Sequence, residues 1–178
     1  MKLHNYQHRA IQQMTEWDKV ILSVGMGLGK TAATLHYING ATWAKRLLIV
    51  APKRVAETVW KQEAEKWGLI ELSDKLKIVA GTKAKRQEII QNNDFLIIGR
   101  DNLQDVAGMT FDILILDELT SFKNHESLRS QAVYSITARQ KIGLTGTFLT
   151  NGAIDCFGQF CAVGLGNLKT KRERSRLS

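Results

Sequence analysis

The densest chemical signal in the chain is the run Val24–Thr31, VGMGLGKT. Glycines at Gly25, Gly27 and Gly29 let backbone N–H groups turn inward around an anion without Cβ clashes. Lys30 and Thr31 open a predicted helix whose positive end points at the same place. A loop of this kind cradles the phosphates of a nucleoside triphosphate between Gly25, Met26, Gly27, Leu28 and Gly29. Lys30 would reach the β- and γ-phosphates, and the Thr31 hydroxyl would ligate Mg²⁺. The general pattern, G-x-x-x-x-G-K-[ST], has glycine at the position that Val24 occupies here.

Triphosphate chemistry also needs a carboxylate at the end of a neighbouring strand, usually with a second one to orient water. The apolar run Ile113–Leu116 ends in Asp117 and Glu118. Asp117 is the expected Mg²⁺ carboxylate, acting through water, and Glu118 the expected base for the attacking water. An acid pair after a strand can equally be a helix N-cap. Its company with the glycine loop favours the catalytic reading.

These groups need strands to carry them to one edge. Short apolar runs recur at Val20–Val24, Leu47–Val50, Leu76–Val79, Phe95–Ile98, Ile113–Leu116 and Ile142–Leu144. They lack polar alternation, as strands buried on both faces do. Helical spacing fills the gaps: Val55, Val59, Trp60, Ala64 and Trp67 fall on one stripe, and Ala32, Leu35 and His36 on another. A third holds Leu128, Ala132, Ser135 and Ile136. This alternation predicts an α/β domain, a mostly parallel sheet of six or seven strands flanked by helices. A last helix is expected over Ile154–Val163, then a basic disordered tail over 164–178.

Composition agrees with one globular domain: 178 residues, 44% hydrophobic, 24% charged. No apolar stretch approaches the ~18–20 residues of a membrane span, and no secretory h-region opens the chain. Cys156 and Cys161 read as two reduced thiols, which suits a cytoplasmic protein. The formal charge is +8, half of it from the last ten residues, so a polyanion and a merely solvated surface fit equally. Lys53 and Arg54 follow a strand at the ligand edge, where phosphates of a nucleic-acid backbone could be gripped. Lys83, Lys85 and Arg86 read as a solvated helix face. The tryptophans invite a base-stacking reading, but Trp60 and Trp67 lie on an apolar stripe and are expected in the core.

In its motifs the chain resembles the first RecA-like lobe of superfamily 2, Swi/Snf-type helicase-like ATPases, above all bacteriophage-encoded ones. Tyr6-Gln7 followed by Ala10-Ile11 resembles the adenine-reading Q motif, which makes Gln7 the expected base contact. Met26–Thr31 resembles motif I, and Val50–Arg54 resembles motif Ia, a nucleic-acid backbone contact. Asp117–Thr120 with Lys123-Asn124 resembles motif II and its extension. Thr145-Gly146-Thr147 resembles motif III, which couples the ATP site to lobe movement. Thr120 stands where a histidine is usual, and Phe148 where proline is common.

The resemblance implies ATP and Mg²⁺ as cofactors and DNA, bound weakly and without sequence preference, as partner. It also implies a second RecA-like lobe, in cis or supplied by another chain. The expected domain is 1–163, in the cytoplasm of a bacterium or phage-infected cell. Motifs IV to VI and their arginine finger are absent, so a truncated or split gene is expected, with poor hydrolysis by the lobe alone. The other reading is an ATP-gated binding module with vestigial hydrolysis. A small P-loop kinase fits the glycine loop but not the remaining motifs.

Overall fold

A computed structural model describes residues 1–23, 25, 29–146 and 153–165, with side chains from 157 onward in the last stretch. Chain order runs α1 (Asn5–Glu16), β1 (Lys19–Ser23), α2 (Lys30–Gly40), β2 (Leu47–Ala51) and a π turn (Val55–Val59). It continues with α3 (Trp60–Lys66), α4 (Ile70–Lys75), β3 (Lys77–Val79), α5 (Lys83–Asn92) and β4 (Phe95–Gly99). A 3-10 stretch (Arg100–Val106), β5 (Thr110–Leu116) and a second one (Leu119–Phe122) follow. The fold closes with α6 (Leu128–Ser135), β6 (Thr137–Thr145) and α7 (Ala153–Ala162).

The six strands form one sheet in the order β1-β6-β5-β2-β4-β3, every pairing parallel. Because successive side chains point to opposite faces, the central strands feed two cores. Leu47, Ile49 and Ala51 join a cluster with Met14, Leu35, Trp60 and Leu72 beneath α1 to α4. Leu48 and Val50 join Ile98, Leu116, Phe122 and Val133 beneath α5 to α7. All five residues of β2 are fully buried, which explains why that run shows no alternation in sequence.

β5 and β6 extend furthest beyond their apolar runs. β6 begins at Thr137 because its polar first half pairs with the start of β5, Thr110 opposite Thr137. Gln140, buried there, accepts from the Tyr37 hydroxyl at 2.5 Å and donates to the Met14 and Trp17 carbonyls. Other helices start on side-chain caps: Thr82 Oγ1 accepts from Lys85 N at 3.3 Å, and Ser127 Oγ from Ser130 N at 3.1 Å.

Two expectations need correction. Leu128 is 79% exposed; the apolar face of α6 runs instead through Ala132 and Val133. Trp67 is only half-buried, its ring edge-on to His36, because Gly68 at φ +73° ends the helix there. Just past α7, Lys19 Nζ donates to Gly164 O (2.8 Å) and Leu165 N to Phe160 O (2.8 Å). Of the expected tail over 164–178, residues 166–178 lie outside the described residues.

Candidate functional site

Parallel pairing sends every strand's C-terminal end to the same edge, the usual ligand edge of such sheets. Ser23 of β1 stands opposite Thr145 of β6, and Leu116 of β5 opposite Gly143. Gly29-Lys30 at the start of α2, the Thr145-Gly146 turn, Asp117-Glu118 and Lys53-Arg54 after β2 therefore share one rim. Val24, Met26, Gly27, Leu28 and Thr147 lie outside the described residues.

Gly29 is the N-cap of α2 in left-handed backbone, φ +73°, ψ +33°. Two demands meet there. Left-handed φ is costly for any side chain, and a Cβ would stand only 2.4 Å from Gln7 Nε2. Lys30 follows at the first position of the helix, and its Nζ lies 3.4 Å from the exposed Gly25 carbonyl. Thr31 is half-buried beside it.

Gln7 is 3% exposed, and its amide is engaged at both ends. Nε2 donates to Gly29 O at 3.1 Å, and Oε1 accepts from His4 N at 2.8 Å. One side chain thus ties the start of α1 to the hinge of the glycine loop. Tyr6 is 38% exposed and stacks on His4, ring centroids 5.6 Å apart and 8° from coplanar. These residues line an open cleft of about 500 Å³ together with Gly29, Lys30, Thr31, Lys66 and Trp67. Trp67 is the cleft residue that sequence reasoning placed elsewhere; no pattern marked it apart from the stripe it ends.

Asp117 leaves β5 with its N–H on Val50 O at 2.7 Å, so the sheet itself fixes its position. Its Oδ2 accepts from the indole Nε1 of fully buried Trp60 at 3.0 Å. Burial holds the Asp117 carboxyl above its usual range, and the Glu118 charge adds to this. The Trp60 and Glu118 N–H bonds and the Lys30 ammonium pull the other way, but do not cancel burial.

Glu118 is exposed and has φ +57°, the only non-glycine with positive φ among the described residues. Such backbone persists where its surroundings over-determine it. Here the 3-10 turn that follows places the Thr120 hydroxyl 3.0 Å from Glu118 Oε1, donating to it. Thr120 thus orients the neighbouring carboxylate, a role its position in the motif did not disclose. The turn is clamped from outside: a Cβ on Gly158 of α7 would meet the Phe122 and Lys123 carbonyls at 2.5 and 2.4 Å.

Thr145 is buried at the end of β6, and Gly146 half-buried after it. Lys53 and Arg54 are both exposed on the rim. In the other basic cluster, Lys83 and Lys85 face solvent, while Arg86 is committed within the fold. Its Nε meets Asp105 Oδ2 at 2.5 Å, and its Nη1 donates to Gly81 O at 2.8 Å.

A parallel six-stranded sheet between helices, with its motifs along the C-terminal rim, defines a RecA-like domain. Residues 6–174 match the model of the SNF2-related domain, and the chain belongs to that family. It is 32% identical over 179 residues to the putative protein p41 of Acyrthosiphon pisum secondary endosymbiont phage 1, covering 90% of this chain and 39% of that protein. The ISWI chromatin-remodeling complex ATPase ISW1 of Saccharomyces cerevisiae is 29% identical over 169 residues, covering 84% of this chain and 14% of that one.

Among solved structures, the Sulfolobus solfataricus SWI2/SNF2 ATPase core in complex with dsDNA shares the fold. Its TM-score is 0.77 at 20% identity, over 93% of this chain and 36% of that one. The chain therefore spans well under half the length of these relatives. No helix among the described residues is long and apolar enough to cross a membrane.

Proposed function

We propose that residues 1–163 are the ATP·Mg²⁺-binding lobe of a Swi/Snf-type, DNA-dependent ATPase that needs a second RecA-like lobe for turnover. The observation that carries this reading is the placement of Gly29 and Lys30 at the start of α2 on the same rim as Asp117 and Glu118. The family uses ATP and Mg²⁺ generally, and the donor set here suits them. Thr31 hydroxyl and Asp117 carboxylate are hard oxygen ligands of the kind Mg²⁺ takes. Burial already disfavours the Asp117 charge, so a cation beside it meets a carboxylate short of compensation.

When bound, Mg²⁺ neutralises charge on the phosphates. The chain's own groups do the rest. Backbone N–H groups around Gly25 to Gly29 hold the phosphates, and Lys30 offsets their charge. Tyr6 and the cleft beside Gln7 take the base. Asp117 holds the metal through water. Glu118, exposed and aimed by Thr120, takes the proton of the attacking water. Thr145, Gly146 and Thr147 pass the state of the site to the second lobe, and Lys53 and Arg54 touch DNA phosphates.

An arginine finger is worth about 10³–10⁵ in turnover, so the lobe alone should hydrolyse ATP below ~0.1 s⁻¹. The test is steady-state ATP hydrolysis by the purified chain, with and without duplex DNA and an added second lobe. DNA-stimulated turnover that appears only with that lobe supports the reading. ATP binding with no turnover under any combination would favour a binding module instead.

A further inference from the structure

Trp60 is fully buried, packed with Ala56, Ala64, Ile49 and Ile115 on the α1–α4 face of the sheet. An indole has one polar atom, a donor, and no acceptor. That single N–H leaves the apolar cluster and lies 3.0 Å from Asp117 Oδ2 at the rim. The π turn Val55–Val59 runs directly into Trp60, the first residue of α3. Such turns re-register a helix by one residue and recur at functional sites. The buried ring cannot swing away, so its packing fixes the direction of the N–H.

We propose that Trp60 is a positioning residue for the metal carboxylate. Its indole N–H commits one Asp117 oxygen to the protein and fixes the plane in which the other meets the hydrated cation. This rests on the reading of Asp117 as the Mg²⁺ carboxylate. Outer partners of metal ligands typically contribute about 10–100-fold in metal affinity, which sets the scale.

The test uses the full chain with ATP and MgCl₂, read as thermal stabilisation during an Mg²⁺ titration. Trp60→Phe keeps most of the ring volume and removes the donor. It should raise the Mg²⁺ midpoint about tenfold, yet leave stabilisation by ATP in EDTA within about twofold of the parent. A role in packing alone would not separate those two readouts. Asp117→Asn should abolish the Mg²⁺ dependence. If it keeps the parental midpoint, the metal reading of Asp117 falls. If Asp117→Asn abolishes it while Trp60→Phe stays within about twofold of the parent, the Trp60 proposal falls alone. Should Trp60→Phe not fold, the indole N–H resonances decide, assigned by replacing Trp17, Trp43 and Trp67 in turn. Asp117→Asn must shift the Trp60 signal upfield, and an unmoved signal overturns the proposal.

Discussion

Gly29 and Gly68 form a matched pair, because both have φ +73° but only one has a neighbour. At Gly68 nothing lies within 4 Å of a built Cβ, so Gly68→Ala reads the left-handed backbone alone, about 1–2 kcal/mol. At Gly29 the same Cβ would stand 2.4 Å from Gln7 Nε2. Gln7 cannot yield cheaply, since it is 3% exposed and bonded at both ends. Displacing it strips buried polar groups of partners, a further ~1–3 kcal/mol. Gly29→Ala should therefore cost about 2–5 kcal/mol.

Urea unfolding of the ligand-free chain measures both variants. At this chain length, each kcal/mol of difference is about 2–4 °C in Tm. Gln7→Ala, which removes the obstructing amide, should bring the cost of Gly29→Ala down to that of Gly68→Ala. Equal costs for the two glycines in the parent background would refute the claim that Gln7 clamps the loop.

The two strand carboxylates should respond to amidation with opposite signs. Asp112 accepts from the Lys45 and Arg46 N–H groups at 2.7 and 2.8 Å, which hold its carboxyl below the usual range. Its stabilisation is present above pH 3.8 and is lost as pH falls through the depressed value. Asp112→Asn should destabilise at pH 7 and match the parent in acid. Asp117, pushed up by burial, should do the reverse in EDTA: Asp117→Asn gains stability at pH 7, and the gain vanishes below about pH 3.8. Arg86→Ala should cost about 3–5 kcal/mol in urea unfolding, because it strands Asp105, whose side chain is only 10% exposed. With a second lobe supplied, Glu118→Gln should lower kcat by about 10²–10⁴ and leave ATP binding intact. Thr120→Val, which frees the Glu118 carboxylate, should lower kcat several-fold without changing the Mg²⁺ midpoint.

The six apolar runs located all six strands, because each is too short for a buried helix and most are rich in β-branched residues. The polar half of β6 was not legible, since Gln140 is satisfied by partners far away in sequence. The placement of Lys30, Asp117 and Glu118 at one edge was legible, as short motifs anchored to strand ends. What stayed hidden was how they are held. The Trp60 stripe announces burial and nothing about its N–H. Thr120 reads as a departure from the family pattern until its hydroxyl is seen on Glu118. Gln7 reads as a base contact, while its bonds to His4 and Gly29 depend on a helix and a loop meeting in space.

Mn²⁺ in place of Mg²⁺ probes the central arrangement most directly, through its broadening of nearby indole N–H signals. Trp60 touches Asp117, whereas Trp17 and Trp43 precede β1 and β2 at the opposite edge of the sheet. With ATP present, Mn²⁺ should broaden the Trp60 signal strongly and spare those of Trp17 and Trp43, and Lys30→Ala should abolish the effect. Uniform broadening of all the indoles, or a sharp Trp60 signal at saturating ATP and Mn²⁺, would contradict a metal-bound triphosphate between Lys30 and Asp117.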